Sequence, residues 1–122
     1  MTLLLSTNIE NFKFINFANQ SHHWSKKKRI KETLYFEFYY PNTIPLKRIE
    51  LPVVVKIIRI APKPFDQDNY IYNCKCIRDF ISWIFFPDKA YGHGDSSKDI
   101  TWQYCQEKGK PKQHALKIQI WK

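Results

Sequence analysis

The stretch Val53-Val-Val-Lys-Ile-Ile-Arg-Ile-Ala-Pro-Lys-Pro-Phe-Asp-Gln-Asp-Asn69 decides the fold. Its first part, inside Glu50 to Ala61, carries β-branched apolar residues on both faces of a two-residue alternation, as an inner strand does. Pro62 and Pro64 cannot continue a ladder and stop it. Asp68-Asn69 then opens a helix running to about Phe85. Its positions Ile71, Cys74, Ile77 or Arg78, Ile81 and Ile84 step by three or four, one face of a helix, and Pro87 ends it.

Upstream, Asn11 to Phe17 alternates loosely through Phe12, Phe14, Ile15 and Phe17 and reads as a first strand. Asn19-Gln20-Ser21 breaks the pattern, with Ser21 a helix N-cap. From His22 to about Phe38, Trp24, Ile30, Leu34 and Phe38 fit helical spacing, although Leu34-Tyr-Phe-Glu-Phe-Tyr-Tyr40 reads equally as strand. Pro41 and Pro45 bound a loop. Downstream, a loop holds Tyr91-Gly-His-Gly94. Asp99 to Gln106 alternates through Ile100, Trp102 and Tyr104, Lys108-Gly-Lys-Pro-Lys112 is a turn, and His114 to Trp121 alternates through Leu116, Ile118 and Ile120. That last pair reads as a β-hairpin. The expectation is a single α+β domain over residues 1–122: two layers, a mixed sheet of four to five strands, and two main helices.

Charge narrows the partners. Twenty Lys and Arg against eleven Asp and Glu give +9, with a pI near 9.5, and such a chain attracts polyanions, nucleic acid first among them. Lys26, Lys27, Lys28, Arg29 and Lys31 crowd one helix, where they form either a solvated face or a phosphate-contacting one. Lys108, Lys110 and Lys112 carry the same ambiguity. The longest apolar run, Phe80 to Phe86, cannot span a bilayer, and Met1 to Leu5 has no basic segment before it and is too short for a signal peptide. Cys74, Cys76 and Cys105 fit free thiols better than a disulfide scaffold or a zinc site. Cytoplasmic residence without a membrane partner is expected. His22-His23 lacks further ligands at zinc spacing, and His23 is read as a phosphate contact. No Gly-rich phosphate loop and no nucleophilic Ser/His/Asp or Cys/His pattern occurs.

The chemistry gathers on carboxylates. Asp66 and Asp68 stand two apart where the strand ends, and in an extended segment both face one site. A helix cap with a spare surface Asp is the alternative. Asp95 stands in a second strand-entry loop and can join them if the two strands are neighbours. Three carboxylates with open positions suit Mg²⁺, which beside a phosphodiester activates water and offsets developing charge. Lys75, seven residues after Asp68, either stabilises that charge or pairs with Asp79 at i+4.

The blocks Arg59-Ile-Ala-Pro-Lys-Pro-Phe-Asp-Gln-Asp-Asn69, Lys75-x-x-Arg78-Asp79, Gly94-Asp95-Ser96 and Ile100-Thr-Trp-Gln-Tyr-x-Gln106, in this order, resemble the RusA family of Holliday-junction resolvases. His23-Trp-Ser-Lys-Lys-Lys-Arg29 resembles the basic first helix of its phage and prophage relatives. The likeness runs from about residue 10 to 121. It implies a homodimeric endonuclease, dependent on Mg²⁺ or Mn²⁺, that cuts four-way DNA junctions by paired nicks in recombination and repair. By that resemblance Asp66, Asp68 and Asp95 hold metal, and His23, the Lys26–Lys31 cluster, Lys63 and Asn69 contact DNA. The family lysine stands four residues after the second aspartate, where this chain has Tyr72; Lys75 lies nearly one turn further on. A branched-DNA binder without cleavage and a basic protein-interaction module are the competing expectations.

Overall fold

The computed structural model describes residues 1–14, 24–39, 49–85 and 98–122, with side chains of the second span described for residues 28–36. Strand β1 is Leu3–Glu10, helix α1 Trp24–Tyr39, strand β2 Val53–Ala61, helix α2 Gln67–Asn73, helix α3 Lys75–Phe85, strand β3 Ile100–Lys108 and strand β4 Ala115–Trp121. They form a mixed α+β fold around one four-stranded sheet of order β1-β4-β2-β3.

β2 is an inner strand, as its two-faced apolar pattern requires. It pairs in parallel with β3, Val53 opposite Ile100 and Ala61 opposite Lys108. On its other side it pairs antiparallel with β4, Ile57 opposite Ile118. The registers build cross-strand rows that feed the core: Leu5, Ile120, Val55 and Trp102 in one, Thr7, Ile118, Ile57 and Tyr104 in the next. Ile30 and Leu34 of α1, Tyr70 of α2 and Ile77, Phe80, Ile81 and Phe85 of α3 join the same cluster. Fully buried side chains such as Leu34, Phe85 and Ile81 each contribute roughly 1.5–3 kcal/mol by leaving water.

Three expectations are corrected. The first strand is Leu3–Glu10 and not Asn11 to Phe17. Thr7 and Ile9 point inward between exposed neighbours, and Asn11 at φ 58° ends the strand, a left-handed conformation that Asn tolerates. Phe12 and Phe14 still reach the core, from irregular chain held by the Phe12 N–H donating to the His114 carbonyl at 3.1 Å. Residues 15–17 lie outside the described residues, as do Ser21 and the loops at Pro41 and Tyr91.

The β3–β4 hairpin does not form, because β2 lies between the two strands. A strand apolar on both faces gains most from two neighbours, and the alternation within β3 and β4 carries no record of which strand sits beside them. The link between them arches over the end of β2, where the Gly109 N–H donates to the Ala61 carbonyl at 2.9 Å. A Cβ at Gly109 would stand 2.9 Å from Gln113 Oε1 and 3.1 Å from Ile60 Cγ2, so a side chain at this crossing would push the Gln113 amide and Ile60 aside.

The helix expected from Asp68 to Phe85 is two helices meeting at Cys74. The Arg78 guanidinium donates to the Ile71 carbonyl at 2.9 Å and to the Tyr104 hydroxyl at 3.0 Å. A side chain thus occupies a carbonyl at the helix end, an identifiable cause of a kink. The stretch 34–39, open between helix and strand by sequence, is helix. No helix among the described residues is long and apolar enough to cross a membrane, and Cys74, Cys76 and Cys105 are free thiols.

Candidate functional site

The aspartate segment is pinned by a clamp from the neighbouring strand. Arg59 and Gln106 face each other across the β2–β3 pair. The Phe65 N–H donates to Gln106 Oε1 at 2.8 Å, and Gln106 Nε2 donates back to the Phe65 carbonyl at 3.0 Å. This two-way exchange imitates one rung of a β ladder where the ladder itself has ended. Arg59, buried to 6% exposure, donates to Gln106 Oε1 at 3.1 Å and to the Lys63 carbonyl at 2.8 Å. Its guanidinium lies 3.7 Å from the centre of the Phe65 ring. Burial lowers the Arg59 pKa from its usual value, while Tyr70 and Cys74 act the other way.

Immediately after the clamp, Asp66 takes the N-cap position of α2 with φ −54° and ψ 138°, yet its side chain makes no capping hydrogen bond. The plain-cap alternative therefore loses its main contact, and the carboxylate is exposed. Asp68 is exposed in the first turn of α2, where an acidic side chain complements the helix dipole. The pair thus shares a helix start in place of the extended segment expected for it. Asn69 is half-buried beside them, and Lys63 is exposed with its carbonyl held by Arg59.

α2 folds back along the sheet. The buried Tyr70 hydroxyl donates to the Ile57 carbonyl at 2.8 Å, and Gln67 Nε2 reaches the Tyr104 carbonyl at 3.5 Å. Burial and the adjacent Cys74 raise the Tyr70 pKa above its ordinary value, and burial pushes the Cys74 thiol up to about 12. Both are packing groups.

Asp95 lies outside the described residues, and so do His23 and the side chains of Lys26 and Lys27. The strands on either side of the two aspartate segments are neighbours. They run parallel, so the entry to β3 at Ile100 is level with Val53, at the opposite end of β2 from Ala61. The fold-back of α2 shortens that separation. Ile57 and Tyr104 stand four residues along from Val53 and Ile100, roughly 13 Å at about 3.3 Å per residue. Phe65, next to Asp66, is held at Gln106, six residues along from Ile100 and roughly 20 Å at the same rise, more than the roughly 17 Å that the five residues from Asp95 to Ile100 can span when extended. Among the described residues, no three His, Cys, Asp or Glu side chains come together as a metal site.

No known family model, curated protein or solved structure matches this chain.

Lys75 opens α3 beyond the kink and lies 3.7 Å from Asp79, the i+4 ion pair that the sequence offered as its alternative role. At 54% side-chain exposure such a pair adds little stability. Lys28 and Arg29 are exposed on α1, and Lys31 is partly covered. Sequence reasoning gave Gln106 and Arg59 no role. The available signal was a lone Arg inside an apolar inner strand, a charge that needs partners if it is to stay buried.

Proposed function

We propose that this chain is a Mg²⁺-dependent endonuclease of the RusA type, acting as a homodimer on four-way DNA junctions. The observation that carries the reading is the pair of exposed carboxylates, Asp66 and Asp68, on a segment rigidly clamped by Gln106 and Arg59, with Asp66 released from capping. A positioned, solvent-facing carboxylate pair in a chain of charge +9 is costly to its polyanion binding unless a cation bridges the two.

The donor set fits such an ion. Asp66 and Asp68 offer hard oxygen ligands at an open site, and Asp95 is the third carboxylate that the sequence offers. Mg²⁺, once bound there, supplies Lewis-acid stabilisation to a phosphodiester. The chain's own residues do the rest. Gln106 and Arg59 hold the chain at Phe65 and Lys63, just before Asp66, in place, and exposed Lys63, Lys28 and Arg29 attract the phosphate backbone. Lys75 sits at the start of α3 to meet negative charge once it leaves Asp79. A homodimer suits a two-fold symmetric junction needing two coordinated cuts.

A second reading, a branched-DNA binder that does not cleave, is favoured by one observation: the helix break at Cys74 and the Lys75–Asp79 pair engage the lysine expected to assist the reaction. A four-way junction with and without Mg²⁺, offered to the wild type and to Asp68→Asn, separates the two. Cleavage by the wild type, with binding but no cleavage by the variant, supports the nuclease. Binding without cleavage by both supports the second reading. Absence of junction binding at low salt refutes both, because phosphate contacts are strongest there.

A further inference from the structure

Away from the aspartates, α1 and α3 enclose a groove of about 350 Å³ lined by Lys28, Lys31, Glu32, Tyr35, Phe80 and Trp83. Its walls are aromatic and its rim is charged. Trp83 is 50% exposed and Tyr35 40%, an unusual outlay for large rings in a protein that buries Phe80 and Phe85 almost completely. Tyr35 and Trp83 lie 25° from parallel with centroids 6.2 Å apart, and Phe80 meets Trp83 edge-on at 6.1 Å.

We infer that this groove holds an unpaired nucleobase, stacked on Trp83 and Tyr35, with the adjoining phosphate drawn to Lys28 and Lys31. The two rings already stack on each other, so a base would join them on an exposed ring face as the next member of the stack. Stacking on aromatic rings inside a positively charged groove is how proteins hold unpaired bases without reading sequence. Glu32 on the same rim adds an acceptor for a base N–H such as the thymine imide, a donor absent from the phosphate backbone. The chemistry disfavours a second copy of this chain as the occupant. Each groove carries two lysines against one glutamate, so two copies meeting groove to groove would set net positive rims against each other.

The inference rests on the nucleic-acid part of the proposed function and not on cleavage. A branched junction has bases at its crossing point that lose their stacking partners. Along the two helices at about 1.5 Å per residue, Trp83 is at most some 22 Å from Asp68, since their meeting at Cys74 can only shorten the path, or at most about six base steps. The groove would therefore grip a base near the branch while the carboxylates meet a phosphate no more than several nucleotides away.

The test uses the full chain at low salt, with the anisotropy of a labelled short oligothymidylate, an abasic strand of equal length and a four-way junction as readout. The wild type is expected to bind oligothymidylate more tightly than the abasic strand. Trp83→Ala should weaken oligothymidylate binding by about five- to a hundredfold and leave the abasic strand unchanged, while Trp83→Phe retains most of the affinity. Tyr35→Leu, which keeps apolar volume and removes the ring, should act in the same direction and guards against a fold defect in the first variant. Equal weakening on both strands overturns the inference, since it points to charge or structure alone. Unchanged oligothymidylate binding with the junction still bound overturns the groove and spares the nucleic-acid reading. No binding to any of the three overturns both. Loss of self-association in Trp83→Ala without an oligothymidylate effect assigns the groove to a second copy and also overturns it.

Discussion

Replacing Gln106 by Ala removes a clamp whose parts can be weighed one by one. The side chain accepts from the Phe65 N–H at 2.8 Å, donates to the Phe65 carbonyl at 3.0 Å and accepts from the Arg59 guanidinium at 3.1 Å. The two neutral bonds contribute about 1 kcal/mol each and the charge-assisted one about 1.5–3 kcal/mol. Gln106 is half-buried and Arg59 keeps the Lys63 carbonyl, so water and that remaining bond return part of the loss. The net cost is roughly 2–4 kcal/mol, which at about 4 °C per kcal/mol for a chain of this size lowers the melting temperature by roughly 8–16 °C. Gln106→Glu keeps both acceptor roles and loses the donor, and should fall between Ala and the wild type. Thermal unfolding by circular dichroism measures the first effect. Junction cleavage well below the melting temperature measures the second, which should fall further than the folded fraction because the chain just before Asp66 is no longer fixed. A Gln106→Ala protein melting within about 2 °C of the wild type would refute the clamp.

Other outcomes follow from the same contacts. Tyr70→Phe removes the bond to the Ile57 carbonyl while keeping the ring's packing, and should cost about 1 kcal/mol in urea unfolding. Stability should be level below pH 9 and fall as pH rises toward 12. In that window the unfolded chain has released the Cys74 proton while the native state, with its thiol raised to about 12, still holds it. Tyr70 is shifted in the same direction, and Cys74→Ala should flatten part of the fall in an alkaline denaturation series. Asp95→Asn should weaken Mn²⁺ binding by calorimetry if Asp95 completes a metal site with Asp66 and Asp68. Unchanged binding would leave those two as the whole protein contribution.

Much of the fold was legible in the sequence because its strongest signals were local. Two-faced apolarity marked β2 as an inner strand, prolines marked its end, and the spacing of Cys74, Ile77 and Ile81 marked a buried helix face, with Ile84 of the same pattern only partly buried. Pairing was less legible. β3 and β4 read as a hairpin because only six residues separate them, and the insertion of β2 is a long-range choice with no local trace. β1 was misplaced because Phe12 and Phe14 outweighed Thr7 and Ile9 in a hydrophobic pattern. An edge strand needs few apolar residues, whereas irregular chain can bury aromatic ones. At the site, Asp66 and Asp68 stood out by type and spacing. Their supports did not, since a clamp between Phe65, Arg59 and Gln106 joins residues 41 and 47 positions apart in the chain.

The most direct test of the central claim is strand mapping on a four-way junction end-labelled in each arm in turn, incubated with the wild-type chain at low salt with and without Mg²⁺. The account predicts nicks in two opposite strands at symmetric positions, only with Mg²⁺, and none with Asp66→Asn or Asp68→Asn. Four intact strands from a junction fully bound by the wild type in Mg²⁺, or symmetric nicks that persist in both variants, would contradict it.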